Sequence, residues 1–181
     1  MAEASNPKPQ EVPEAENLPK LSASDFHKYN QMAEMMQSYH NHFRQTWTAM
    51  HNACSTGKRP SNMTLKQFLA YCMTFCRQLT MHHNIEEEYI FPDLGRKMPI
   101  FQDTQLMKEQ HKGIHAGLDR FEHYLNQCRE GEREYRASEL KEIMDSFGDV
   151  LWAHLDAEVE QLGAENMRKY WTLQEMNGMR Y

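Results

Sequence analysis

Three His-x-x-x-Glu pairs, His82/Glu86, His83/Glu87 and His154/Glu158, occur among the ten histidines of this 181-residue chain. On a helix, residues four apart lie one above the other, so such an imidazole and carboxylate can converge on one ion. Mixed nitrogen and oxygen donors suit iron, manganese or zinc. The chain also repeats itself: His40 precedes His82, and His111 precedes His154, by nearly equal intervals, and each half ends in His-x-x-x-Glu. Two helical hairpins of this kind would enclose a pseudo-twofold site for two metals, with Glu86 and Glu158 as bridges.

The elements that must position these side chains are legible as apolar stripes with steps of three or four. A first run over residues 24–54 carries Met32, Met36, Phe43, Trp47 and Met50. A second starts at a capping box, Thr64 with Gln67, continues through Phe68, Cys72, Phe75 and Leu79, and stops at Phe91-Pro92. A third spans about 103–128 and a fourth about 138–162, with Gly163 expected as its C-terminal cap. The pattern predicts an all-α, antiparallel up-down four-helix bundle over residues 23–163, followed by an amphipathic extension, 164–181, with a short helix. Residues 1–22 hold four of the seven prolines and no aromatic residue, which predicts a disordered tail.

Phasing along the stripes turns His40, His82, Glu86, His111, His115, His154 and Glu158 inward. His27, His42, His51, His83 and His123 fall at the margins or outside. So many ionisable groups in one core are costly unless a common partner neutralises them, and a metal does so.

Net charge and cysteines narrow the function classes. A charge of −6 without clustered Lys and Arg argues against nucleic-acid and anionic-membrane partners. Four cysteines without a regular framework, no apolar core near the start and no membrane-length apolar stretch predict a cytoplasmic protein with reduced thiols. No Glu-x-x-His of the ferritin type and no His-Glu-x-x-His of zinc proteases occurs.

The stretches His82-His-Asn-Ile-Glu86-Glu-Glu-Tyr-Ile-Phe-Pro92, Gln110-His111-Lys-Gly-Ile-His115 and His154-Leu-Asp-Ala-Glu158 resemble the hemerythrin-like family, including HHE cation-binding domains. Leu162 to Trp171 is similar to fungal hemerythrin-like proteins. The resemblance implies two non-heme iron ions bridged by two carboxylates and an oxo or hydroxo group. Its ligands would be His40, His82, Glu86, His111, His115 and His154, while Glu158 stands four residues after His154 where oxygen carriers place an aspartate at five. With two six-coordinate irons, five histidines, two bridging carboxylates and a bridging oxygen leave one open position for O2, NO or peroxide. The favoured reading is a protein that binds or senses such a ligand, or iron itself. The alternative is a di-iron oxidoreductase of peroxidase or ferroxidase type, and zinc or manganese are the other metals the donors suit.

Overall fold

The computed structural model describes residues 18–102 and 106–179, so most of the expected tail and the expected start of the third helix at Asp103 lie outside the described residues. Among the described residues the regular structure is helical, with no strand. Four long helices, α1 (Ala23–Thr56), α2 (Leu65–Ile85), α4 (Leu106–Glu130) and α5 (Ala137–Gln161), form the bundle. Shorter pieces, α3 (Phe91–Leu94), α6 (Ala164–Tyr170) and α7 (Leu173–Met176), close one end.

Local chemistry sets the boundaries. Ser22 caps α1 by accepting from the Asp25 N–H, and the Thr64/Gln67 capping box starts α2 as its sequence predicts. Gly57 and Gly131, at φ +69° and +78°, supply the left-handed residues that end α1 and α4. Gly163 plays a different part from the expected one. Its φ is −65° and it precedes α6 as the N-terminal cap, while Leu162 closes α5.

The end of α2 also differs from a simple stop at Phe91-Pro92. Beyond Ile85 the chain makes one wider π-helical turn, Glu86–Ile90, in which the Phe91 N–H donates to the Glu86 carbonyl, and continues into α3. Pro92 has no N–H and frees a carbonyl in the preceding turn, which favours the looser winding. Single π turns of this kind inside helices concentrate at functional sites.

The bundle interior has three layers. One apolar cluster gathers Trp47, Phe68, Phe75, Leu79, Phe121 and Phe147. A second, at the end closed by α3, α6 and α7, gathers Met32, Phe91, Met107, Leu162, Met167 and Trp171. Between them lie all the buried histidines and glutamates. Each long helix thus changes from apolar to polar and back along one inward stripe.

Helices α4 and α5 approach closely at Gly117, where an added Cβ would sit 2.2 Å from Phe147 Cγ. The ring is fully packed and cannot retreat, so Gly117→Ala is expected to destabilise the fold by about 1–3 kcal/mol through overpacking. Urea denaturation of both proteins checks this; equal midpoints would contradict it.

Candidate metal centre

Seven polar side chains occupy the middle layer or its edge. His40, His83, Glu86, His111, His154 and Glu158 are fully buried, and the His82 side chain is 11% exposed. They form two groups whose donor atoms lie within 4.8 Å of one another: His83, Glu86, His111 and His154, and His40, His82, Glu86 and Glu158.

Glu86 belongs to both groups, and its two oxygens divide between them. Oε1 lies 2.8 Å from His82 Nε2, and Oε2 lies 3.4 Å from His111 Nε2. Glu158 also faces both ways, its Oε2 being 3.3 Å from His40 Nε2 and 3.6 Å from His154 Nε2. The Nε2 atoms of His111 and His154 are 3.1 Å apart. Donors about 2.1 Å from one ion and separated by 90–109° stand roughly 3.0–3.4 Å from each other, so these spacings suit shared ions.

The hydrogen bonding points the same way. Buried polar atoms normally find partners. Here both oxygens of Glu86 and Glu158, both ring nitrogens of His83, His154 Nδ1 and the Nε2 atoms of His40 and His82 lack a well-formed hydrogen bond, although His82 and His40 lie close to the two carboxylates. Two outward ring atoms, by contrast, are held. His40 Nδ1 donates to the Leu155 carbonyl at 3.0 Å, and His111 Nδ1 lies 2.8 Å from Glu87 Oε1. Each bond fixes a tautomer that leaves Nε2 as an acceptor facing the centre. An orphaned inner set with an anchored outer set is what a cation would complete.

Burial governs the protonation of the metal-free site. It pushes His82 down to about 3 and His111 down to about 4, the latter against the opposing pull of Glu87. His83 and His154 are driven well below the usual imidazole range, first by burial and then by neighbouring imidazoles. Glu86 is raised by burial and by the nearby Glu158 and Glu87; burial also raises Glu158 against the pull of His40. Neutral imidazoles are ready donors, and a cation would reverse the cost of ionising the carboxyls.

Apolar and aromatic side chains seal the layer. Phe43 lies 5.1 Å from the His82 ring, and Phe91 stacks at 5.1 Å on His111. Trp47 packs on both Phe75 and Phe147 in the adjacent apolar cluster.

Six of the seven residues expected from sequence come together in these groups. The seventh, His115, lies outside both: it is half-buried, its ring 5.3 Å from His83 and 6.4 Å from His111. His83, placed at the margin by its stripe, is instead fully buried and stacked on His111 at 4.0 Å. Leu79 explains the difference, since residues three and four after it both turn inward at the end of α2. The signal available was the second His-x-x-x-Glu pair, His83 with Glu87. His42 and His123 are exposed, and His51 pairs with Asp145 at the surface.

Glu87→Gln weakens the anchor of His111 without removing a donor. It is expected to lower metal affinity about 10–100-fold, read by competition with a chelator, as loss of such supporting partners does elsewhere. Unchanged affinity would show that His111 needs no anchor.

The similarities of the chain agree with this architecture. It is 25% identical over 119 residues to the dimeric xanthone biosynthesis cluster protein R11 of Cryptosporiopsis sp. (strain 8999), covering 62% of this chain and 45% of that relative. The chain therefore spans less than half the length of that curated relative. No solved structure matches it. No helix among the described residues is long and apolar enough to cross a membrane. Residues 31–164, most of the chain, match the family described as the hemerythrin HHE cation binding domain, and the chain belongs to that family.

Proposed function

We propose that the chain is a non-heme di-iron protein that binds O2, NO or peroxide at the centre of its bundle. The observation that carries this reading is the division of Glu86, one oxygen toward each donor group. A carboxylate so placed serves two ions better than one. The ligands would be His40, His82, Glu86, His111, His154 and Glu158, with one further imidazole drawn from the pair His83 and His115. Of that pair His83 is the stronger claimant, because it is fully buried with both nitrogens unpartnered.

Iron in such a site supplies reversible electron donation to a small oxidising ligand. The protein's own part is to hold the donors, to fix the His40 and His111 tautomers through Leu155 and Glu87, and to exclude water with Phe43 and Phe91. Exclusion of water strengthens every electrostatic contact inside and protects a reduced centre from side reactions.

The test is an optical titration of protein purified with iron. Visible bands that bleach on anaerobic reduction and return with O2 or peroxide, or change with NO, are the expected result. Stoichiometric zinc, refusal of iron and no visible absorption would overturn the reading.

A further inference from the structure

The two donor groups reach the protein surface at one residue. Six of their seven side chains are fully buried, and His82 alone is 11% exposed. Its ring lines a groove of about 1010 Å³ together with Tyr39 and Phe43 of α1 and Met81 and Ile85 of α2. Helix α1 packs chiefly on α5, and α2 chiefly on α4, so this is the loosely joined side of the bundle. The exposed Tyr39 ring stands 5.7 Å from the His82 ring, and the buried Phe43 ring lies 5.1 Å from it.

His82 is also the donor held most weakly. His40 and His111 are each fixed through the far ring atom, by the Leu155 carbonyl and by Glu87. The one polar contact of His82 among the described residues is Nε2 to the buried Glu86 Oε1, at 2.8 Å. His83 and His154 have no such anchor either, but both rings are fully buried, and close packing leaves them no room to turn. A partner on the far nitrogen fixes the orientation of a ligand imidazole. His82 lacks that partner and has open space beside it, so it is the ring that can leave the donor set at least cost.

The groove suits an ion in passage. Its lining holds no Lys or Arg, and Glu88 adds a carboxylate, so cations are drawn in and anions repelled. Met81 and Ile85 offer a hard cation no donor strong enough to detain it before the histidine and carboxylate set.

We propose that His82 is the exchangeable member of the donor set, swinging into the α1–α2 groove from beneath the Tyr39 ring to admit and release a divalent metal ion. This deepens the reading above and rests on it for the iron; the route itself requires only an ion held by His82.

Metal transfer in both directions tests the proposal. Release from the reduced, iron-loaded full chain is followed anaerobically by the colour of a pyridylazo chelator in excess, and uptake of ferrous iron by the metal-free chain is sampled with the same chelator. Tyr39→Ala is expected to speed both uptake and release by about fivefold or more, with the iron bound at equilibrium unchanged, because a removed cover alters rates and not affinity. Tyr39→Phe, which keeps the ring, and Leu65→Ala, exposed at the start of α2, should retain the wild-type rates. Unchanged rates in Tyr39→Ala would overturn the proposal. So would faster release without faster uptake, the mark of a loosened site. A chain that refuses iron and takes zinc would remove the di-iron reading, and the same comparison on bound zinc would still decide the route.

Discussion

Glu86→Leu is expected to abolish metal binding while making the metal-free protein more stable. The two effects have one cause. Both Glu86 oxygens are buried without a well-formed hydrogen bond, and burial together with Glu158 holds the carboxyl above its usual range. An unsatisfied buried polar group costs about 1–3 kcal/mol, which an apolar side chain of similar size recovers. The same replacement removes the residue common to both donor groups, so neither ion keeps its full set. Metal analysis and urea denaturation in the presence of a chelator measure the two effects separately. A variant that keeps its metal, or that is less stable than wild type when both are metal-free, would show that Glu86 is a structural core residue.

The metal-free protein is also expected to unfold in mild acid. His82 is held near 3 and His111 near 4, and His83 and His154 lie well below the usual range, so the folded chain refuses protons that the unfolded chain accepts below about pH 6.5. Stability contributed by these depressed imidazoles is present above that pH and lost as pH falls toward their folded values. Each histidine costs up to about 1.4 kcal/mol per pH unit in that window. Glu86 and Glu158 act in the opposite sense, because their raised carboxyls keep protons in the folded state that the unfolded chain releases above about pH 4.5. The two opposing carboxyls offset part of what the four histidines lose, so the net effect is a loss of stability as pH falls below about 6. A total stability of about 5–15 kcal/mol is sensitive to a loss of this kind. Bound metal adds stability by mass action, about 4 kcal/mol at a thousandfold excess over its dissociation constant, so the loaded protein should unfold at lower pH. Circular dichroism from pH 7 to 4 on both forms reads the difference, and coincident acid transitions would contradict it.

How far the sequence reached depended on what each residue had to satisfy. His40, His111 and His154 stand on inward stripes between apolar neighbours, where periodicity alone locates them. His82 and His83 are adjacent, and no single stripe can hold both; only the position of Leu79 at the end of a helix that then loosens lets both turn inward. The π turn was foreshadowed by Pro92, whose missing donor is a local property, but the turn also carries Glu86 into the polar layer and Phe91 into the apolar layer beside it. The anchor of His111 on Glu87 and that of His40 on the Leu155 carbonyl join residues from different helices. Such contacts have no sequence period, and they appear only when the helices are packed. Gly163 was legible as a breaker and not as the start of α6, because the cap it forms is set by where α6 docks on α1.

The proposed di-iron centre requires Glu86 to be shared by two ions. X-ray absorption on the iron-loaded protein, with iron counted per chain, tests it most directly. Two irons per chain with a metal–metal distance of about 3–4 Å are expected, and that signal should vanish in Glu86→Leu. One iron per chain with no metal–metal scattering would contradict it.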